Sequence, residues 1–579
     1  MCLNHSRPLV PRVRDEAFLA PYPLSLLMYS SRRQFITRSA FALLGSGIVR
    51  AHADHPTLGS GYPLVIPPDF SGGTLQAKPD TKEVWPGFPT PVLTLNGSIP
   101  GPTIRVRMGE RFKARIQNGL AEPLVLHWHG ILAPAGMDGN PRDAVPPGGS
   151  YEVDFPVQQP AGTYWYHAHT DQLTAKQVYL GLAGFFIVED PAEASLGLPQ
   201  DELDVPLLIQ DRVSNPGHTL AYSPVMDHMV LGYLGDSTTV NGVPEASLQV
   251  KRSVYRLRLL NGSNARVFKI GLGDTAKFKL IANDAGLLPA PIEVTSLLLA
   301  PGNRAEILVD FSNFPHGSTV ELKSLAFDGD MTMGSTQGQP RTLMRFIGQH
   351  TGSGGSVPKT LVPFIGHDHA QAKRTRQFVI TMPGGGHGGH GGGMATDLIN
   401  GLLYQMNRTD FTVPLGELEV WEFHNQADHM HPMHVHGAIF QVLSRSTTSM
   451  LPPEDRGWKD TILVYPGEVV RILIKFETYP GAFVLHCHNL EHEDGGMMLN
   501  FNVGSSPVEG PRLAIRREAE EIIVVAPHEA TDYRLEGTPH LGHDSAWTPV
   551  TAVPSHTDVG VEFRLPRNGG AQYFRLVKQ

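Results

Sequence analysis

Cysteine is almost absent from this chain, whose 579 residues include only Cys2 and Cys487. Cys2 lies in an N-terminal stretch that is typical of an export leader, so the mature chain keeps one thiol and forms no internal disulfide. Long apolar runs are also missing, which excludes a membrane-spanning helix. Charged residues make up only 18% of the chain, with 47 Lys and Arg against 56 Asp and Glu. This mildly acidic balance argues against nucleic acid or an anionic membrane surface as a partner.

The first 53 residues have the features of an export signal. Residues 31–36, SRRQFI, resemble a twin-arginine motif, and a short apolar run at 41–49 precedes the cleavage candidate Ala51-His52-Ala53. Met28 suits a start codon better than Met1 does. We predict a periplasmic or otherwise extracytoplasmic monomer, exported in folded form by the twin-arginine machinery.

The rest of the chain repeats one order of turns and strands three times. Glycine (61) and proline (48) are abundant, which is typical of many short strands. An Asn-Gly turn precedes alternating strands in each repeat, and a Pro-Gly turn opens a later strand. These pairs are Asn96-Gly97, Asn241-Gly242, Asn400-Gly401, Pro147-Gly148, Pro301-Gly302 and Pro466-Gly467. The pattern predicts an all-β fold with three β-sandwich domains.

The repeats divide the chain as follows. We expect a leader at 1–53, sandwiches at 54–195, 196–348 and 396–504, a Gly/His-rich linker at 349–395, and a small accessory β-rich extension at 505–579. The linker includes MPGGGHGGHGGGM at 382–394, whose glycine content cannot build a core.

Histidine, in contrast to cysteine, is abundant and falls into a few short clusters. Ten of the 27 histidines fall in four short clusters: His127 and His129, His167 and His169, His431 with His434 and His436, and His486, His488 and His492. Residues two apart in a strand share a face, so each H-x-H pair directs two imidazoles to one point. Eight imidazoles come from the first and third repeats and none from the second. We therefore predict a site between those two repeats that is large enough for three copper ions. Zinc is the rival metal, but its structural sites are usually rich in cysteine.

The same alternation of side chains along a strand predicts a second site. Cys487 points to the face opposite His486 and His488. His431 lies an odd number of residues from both His434 and His436, so its side chain is expected to point away from their face of the strand as well. Together with His492 and the more distant Met497, these residues form the His₂Cys plus weak Met set of a mononuclear copper site.

Taken together, these motifs resemble bacterial three-domain multicopper oxidases of the laccase and copper-efflux-oxidase group. The resemblance covers about residues 60–503 and includes NGSNARVF (261–268), AGLLPAP (285–291), GWKDT (457–461) and LEHEDGGMM (490–498). It implies three cupredoxin-like Greek-key domains and four copper ions. Type-1 copper would take His431, Cys487 and His492, with Met497 axial, and type-2 copper would take His127 and His434. The type-3 pair would take His129, His167, His169, His436, His486 and His488.

The resemblance also implies an activity, in which a reducing substrate is oxidised and O2 is reduced to water. Glu493 and Asp138 match positions where the family places acids near the oxygen-reducing centre, and we expect them to supply protons. The donor is a cuprous ion or a phenol or aromatic amine. Thioethers near the type-1 motifs are candidate Cu(I) contacts, although each also suits a core position: Met430, Met433, Met450 and Met498.

Two further motifs leave the identity of the electron donor undecided. The Gly/His loop, with His387 and His390 between Met382 and Met394, is a candidate for metal capture, but related copper-efflux oxidases carry a methionine-rich insertion there. His367-Asp368-His369 is either a further metal contact or a solvated turn.

Two alternatives differ in class. A copper-binding, copper-tolerance or cell-division scaffold of this fold would have lost catalysis, and such scaffolds lack copper ligands that are all present here. A copper nitrite reductase would have two domains and an incomplete type-3 set.

Overall fold

The computed structural model describes residues 61–213, 215, 217–328, 335–352, 354–382, 397–504, 513–518, 521–526, 533–539, 546–557, 560–566 and 573–578. All of these lie in one unit, Pro56–Gln579. The predicted leader and the loop residues 383–394, which include His387 and His390, lie outside the described residues. None of the helices in the described part has the length and apolar character needed to cross a membrane.

The first pair of sheets is built from residues 73–189. In sheet order, its strands are Phe88–Leu95, Gly73–Trp85, Arg111–Asn118 and Ser150–Pro156 in one sheet, and Gly101–Arg107, Ala183–Glu189, Gly162–Ala168 and Leu126–His127 in the other. In Arg111–Asn118, exposed and buried residues alternate along RFKARIQN, as expected of a strand with one face in a core.

The second pair of sheets is larger. One sheet has Val243–Pro244, Ser237–Val240, Asp204–Arg212, Val254–Asn261, Arg304–Asp310, Phe278–Asn283 and Gly286–Val294; the other has Tyr62–Pro63, Ala246–Val250, Arg341–Gly348, Thr319–Ser324, Phe268–Leu272 and Ser296–Leu299. Tyr62–Pro63 pairs in parallel with Ala246–Val250, so the start of the predicted first domain completes a sheet of the second repeat.

The third pair consists of two five-stranded sheets. One sheet has Leu398–Ile399, Arg374–Thr381, Leu418–Asn425, Val469–Lys475 and Phe440–Arg445; the other has Phe411–Pro414, Met498–Gly504, Gly481–Cys487, His431–Val435 and Thr461–Val464. Aromatic side chains fill the interior of each sandwich, and examples from the first to the third are Phe112, Phe155, Phe186, Tyr255, Phe311, Phe346, Phe378, Trp421 and Phe501.

The remaining described elements are short. The extension contains Ala514–Glu518, Glu521–Ala526, Gly560–Pro566 and Ser555–Thr557 in one sheet, and Thr548–Pro549, Tyr533–Thr538 and Tyr573–Lys578 in another. The α-helices are Thr174–Leu180, Met226–Leu231 and Leu490–Asp494. Short 3₁₀ helices occupy Ala135–Met137, Pro141–Asp143, Pro191–Leu196, Asp201–Leu203, His369–Gln371 and Pro453–Asp455. The predicted all-β fold class with a β-rich extension is confirmed.

The repeated turns have the same geometry in each sandwich. In the three Asn-Gly pairs that recur between the repeats, at residues 96–97, 241–242 and 400–401, both residues have positive φ, between 50° and 77°, which is the type I′ hairpin turn that Asn-Gly favours. The flanking residues pair as Leu95 with Ser98, Val240 with Val243, and Ile399 with Leu402. This recurrence supports the interpretation of the chain as three copies of one pattern.

Candidate metal centre

Strand pairing aligns the histidine clusters in two cross-strand pairs. His127 lies opposite His167 in the first sandwich, and His434 lies opposite His486 in the third. Cross-strand partners have Cβ atoms about 5 Å apart, so each pair presents two imidazoles from neighbouring strands. All eight imidazoles of the predicted large site are buried, with at most 1% of the residue surface exposed.

These imidazoles meet between the first and third sandwiches. The Nε2 atoms of His127 and His434 are 3.3 Å apart, and those of His169 and His486 are also 3.3 Å apart. His436 Nε2 lies 3.1 Å from the same nitrogen of His486. The structure thus places nitrogens from both sandwiches at one centre, as the sequence pattern predicts.

Hydrogen bonds on the outer side fix the orientation of several rings. His127 Nδ1 donates to the Asp138 carbonyl at 2.7 Å, and His434 Nδ1 donates to the Asp460 carbonyl at 2.8 Å. His436 Nδ1 donates to Asp138 Oδ2 at 2.7 Å. In each case Nε2 is left to face the centre, because the hydrogen bond at Nδ1 fixes the ring orientation, as is usual for metal-ligating imidazoles.

The second sandwich supplies no histidine, but its Pro-Gly turn and Arg304 reach the centre. A Cβ at Gly302, whose φ is +83°, would lie 3.0 Å from His129 Cε1 and 3.1 Å from His488 Cδ2, so a larger residue would crowd both imidazoles and strain the backbone. Arg304 Nη1 donates to Asp460 Oδ1 at 2.8 Å, and the same oxygen lies 3.0 Å from His129 Nε2.

The donor set fits a metal. Among the residues that the structure describes, neither ring nitrogen of His488 has a hydrogen-bond partner although both are buried, and the same holds for His169 Nδ1. A buried polar atom without a partner is costly, and a metal ion is one way to satisfy it. Burial lowers the pKa of His167 to about 3 and that of His169 to about 4, which keeps these imidazoles neutral, as metal binding requires. Burial also holds the pKa values of other cluster imidazoles well below their usual range: His127, His129, His434, His436 and His488.

The predicted second site forms on the opposite face of the same strand. Cys487 Sγ lies 3.5 Å from His431 Nδ1 and 3.7 Å from His492 Nδ1. Met497 is fully buried in the core that also contains Cys487, and its carbonyl accepts a 3.1 Å hydrogen bond from the Cys487 amide. The structure brings together all four residues of the predicted His₂Cys plus Met set in this core.

Two further residues border this second site and were missed by the sequence analysis. Asp397 Oδ2 lies 2.5 Å from His429 Nε2 and 3.6 Å from His431 Nε2. Ligand atoms of Asp397, His429, His431 and His492 all lie within 4.8 Å of one another. The signal for His429 is visible in retrospect, because His429-Met430-His431 is another H-x-H motif; Asp397 has no comparable signal.

The two predicted acids lie beside the eight-histidine centre. Glu493 Oε2 is 3.1 Å from His486 Nδ1, and Oε1 is 3.6 Å from His169 Nε2. Burial opposes ionisation of Glu493, but these imidazoles favour it, and the net effect lowers the pKa of Glu493. Burial raises the pKa of Asp138 well above its usual range.

The remaining candidates have ordinary environments. Met433 and Met498 are core residues and Met430 is 6% exposed, whereas Met450 is 76% exposed on the surface. His367 packs against Trp458, with ring centroids 5.3 Å apart, and His369 begins an exposed 3₁₀ turn.

Comparison with known proteins places these motifs in a family. Residues 78–193 and 372–507 match family models described as multicopper oxidase. Over 438 residues the chain is 34% identical to the multicopper oxidase mco of Staphylococcus haemolyticus (strain JCSC1435), an alignment that covers 74% of this chain and 88% of that protein. The chain belongs to the multicopper oxidase family.

Other relatives show how widely the family varies. The cell division protein FtsP of Escherichia coli (strain K12) is also 34% identical, over 83% of this chain and 100% of that protein. The crystal structure of the 2F4 variant of the McoA multicopper oxidase from Aquifex aeolicus superposes with a TM-score of 0.70 and 34% identity, covering 77% of this chain and 100% of that one. The resemblance inferred from the sequence is confirmed, and with it a cupredoxin-like, copper-dependent oxidoreductase.

Proposed function

We propose that this multicopper oxidase couples one-electron oxidation of a small reducing substrate to the four-electron reduction of O2 to water. The observation that carries the proposal is the position of Cys487, which contacts one donor set while His486 and His488 on either side belong to the other. In the proposed assignment, type-1 copper takes His431, Cys487, His492 and Met497, and type-2 copper takes His127 and His434. The type-3 pair takes His129, His167, His169, His436, His486 and His488.

Bound copper would supply one-electron redox chemistry, taking electrons singly at the type-1 site and delivering them to O2 at the three-copper site. The protein holds the two donor sets at a fixed separation, because one peptide unit joins Cys487 to each neighbouring histidine. Burial of every ligand excludes bulk water from both sites.

Proton supply is assigned to Glu493 and Asp138. Their pKa values are shifted in opposite directions, down for Glu493 and up for Asp138, beside the same cluster. Two acids whose environments separate their pKa values are suited to different proton-transfer roles. Glu493 contacts His169 and His486, whereas Asp138 contacts His436 and so supports the opposite side of the cluster.

The reducing substrate is proposed to be a cuprous ion or a phenol or aromatic amine. Steady-state assays with Cu(I) and with a phenol, each with and without residues 382–394, separate these possibilities. Selective loss of Cu(I) oxidation on deletion would assign metal capture to the loop. Unchanged rates with both donors would leave the loop as a linker.

A non-catalytic scaffold is the second candidate function, and it is suggested by the similarity of this chain to the cell division protein FtsP. The complete set of buried ligands in this chain argues for the oxidase instead. Copper-loaded protein should show an intense blue type-1 absorbance and a near-ultraviolet type-3 shoulder, together with donor-dependent O2 uptake. If both absorbance features are missing after loading, the oxidase proposal fails.

We assign sandwich domains to residues 54–195, 196–348 and 396–504, and an accessory extension to residues 505–579. The protein acts as an extracytoplasmic monomer after twin-arginine export, which fits the motif at residues 31–36.

A further inference from the structure

A cavity of about 300 Å³, which we call the junction cavity, lies where the three sandwiches and the linker meet. The first sandwich contributes Pro160 and Ala161, the second Leu287, the linker Phe364 and the third sandwich Trp458. Among the described residues that line it, none is a predicted copper ligand. Its volume is at the lower end of the range for sites that bind small molecules, which are concave and mostly apolar. The junction cavity is therefore a candidate ligand site separate from both metal centres.

Aromatic rings form part of the wall of the junction cavity. Trp458 packs against Phe364 with ring centroids 5.3 Å apart and an angle of 55° between the rings. Trp458 is half-buried and Phe364 is 36% exposed, so ring surface of both residues remains open to a ligand. Aromatic pairs in offset or edge-to-face arrangements are stabilised beyond the area that they bury. This wall thus favours a flat, apolar ring.

Another part of the wall is acidic. Asp190 and Glu193 line both the junction cavity and a larger polar cavity of about 730 Å³ beside it. The larger cavity is lined by six carboxylate side chains and four arginines, so negative charge is in excess there. A recess lined mainly by one sign of charge concentrates ligands of the opposite sign. The acidic end therefore favours a cation.

The charge of the Glu193 carboxylate is incompletely compensated by its neighbours. Its Oε2 lies 3.4 Å from Arg256 Nη1, but Arg256 Nε donates a shorter bond of 2.7 Å to the buried Glu306. Among the described residues, Glu193 Oε1 has no hydrogen-bond partner. Burial raises the pKa of Glu193, although Arg256 acts against this shift. The side chain keeps 13% of its surface exposed, so a donor in the cavity can approach the carboxylate.

We propose that the junction cavity binds a small aromatic cation, whose ring packs on Trp458 and Phe364 and whose charged group meets Glu193. An amidinium or ammonium group supplies the N–H donors that this carboxylate lacks, and charge-assisted hydrogen bonds of this kind are strong. Because all three sandwiches line the cavity, a bound ligand stabilises their assembly and raises the free energy of unfolding by mass action. This inference depends neither on the copper assignments nor on the proposed activity.

Benzamidine is the probe for the first test, because it joins a phenyl ring to a planar amidinium. Isothermal titration calorimetry on the full chain, with and without copper, should show one saturable site. Benzamide has nearly the same shape without the charge. It should bind at least about tenfold more weakly, since a hydrogen bond between charged groups is stronger than one with a neutral donor. The proposal is overturned if benzamidine does not bind at millimolar concentrations, or if benzamide binds equally well.

Two substitutions locate the bound probe. Glu193→Gln should weaken benzamidine binding at least about tenfold, because it removes the charge and keeps the shape of the side chain. Glu202→Gln is the matched control and should not change the affinity, since that acid is 66% exposed, pairs with Lys251 and lines neither cavity.

Tryptophan fluorescence provides a second measurement. Benzamidine should alter the emission of the unaltered protein, and Trp458→Phe should remove that change while it keeps an aromatic ring in the wall. Equal affinity in Glu193→Gln and the unaltered protein would refute the site. A fluorescence change that survives in Trp458→Phe would also refute it, because the probe would then be bound elsewhere.

Discussion

Arg304 and Asp460 form a fully buried ion pair that links the second sandwich to the eight-histidine centre. Arg304 Nη1 lies 2.8 Å from Asp460 Oδ1, and Nη2 contacts the other carboxylate oxygen. Asp460 Oδ1 also lies 3.0 Å from His129 Nε2, and the Asp460 backbone carbonyl accepts a hydrogen bond from His434 Nδ1. The second sandwich, which supplies no ligand histidine, therefore helps to orient histidines of the first and third sandwiches.

Replacing Arg304 should destabilise the protein strongly. Arg304→Met leaves the buried Asp460 carboxylate without its main cation, and breaking a buried pair in this way costs about 3–5 kcal/mol. Urea unfolding of metal-free protein measures the loss. Arg105→Met is the control, because its partners Asp69 and Glu189 lie at the surface, where pairs contribute little. Equal midpoints for the two variants would contradict a structural role for the buried pair.

Cys487→Ser should abolish the blue absorbance and turnover while copper remains at the histidine cluster. The hydroxyl cannot replace the thiolate in the His₂Cys set, whereas the eight imidazoles are unchanged. Copper content and the near-ultraviolet shoulder measure what remains. Met433 lies opposite Cys487 in the neighbouring strand, so the volume-conserving Met433→Leu is a control that should stay blue. A blue Cys487→Ser protein would refute the type-1 assignment.

Sequence alone predicted the sites that depend on strand parity. Cys487 and His486 point to opposite faces because side chains alternate in a strand, and this rule holds without knowledge of the tertiary fold. The three Asn-Gly turns were equally predictable, because positive φ at two successive positions favours those residues.

Beyond the eight-histidine centre, contacts between the repeats could not be predicted in this way. Arg304 and Asp460 are 156 positions apart, and neither lies in a ligand motif, so no spacing indicates that they meet. The contact between Val230 and His492 is a backbone carbonyl interaction, which any residue type could make. Such pairs depend on how the sandwiches pack, and packing between domains leaves little periodic signal in the sequence.

The metal-free protein should lose stability as pH falls from about 6.5 to about 4. Burial lowers the folded-state pKa of His167 to about 3, and of His169 and His492 to about 4, from an unfolded value near 6.5. In this window the unfolded chain binds more protons, so each histidine contributes a slope of up to about 1.4 kcal/mol per pH unit. This stability is fully present above pH 6.5.

Unfolding free energies at several pH values test this expectation. His169→Gln should reduce the pH dependence of the unfolding free energy by about the contribution of one bound proton, because it removes one imidazole whose folded-state pKa is lowered. A slope that is unchanged in His169→Gln, or stability that rises on acidification, would be inconsistent with buried neutral histidines.

Glu493→Gln should slow turnover by about 100-fold while leaving the blue band, because it removes a positioned proton carrier and keeps the shape of the side chain. The Glu493 carboxylate contacts His169 and His486 of the eight-histidine centre, so the blue spectrum expected of the Cys487 site should persist. O2-uptake rates across pH, compared with the blue absorbance, measure the effect. Glu454→Gln is a suitable control, because that partly buried acid accepts a hydrogen bond from the Leu298 amide away from the ligands. An unchanged rate in Glu493→Gln would remove Glu493 from the mechanism, and an equal loss in both variants would point to general destabilisation.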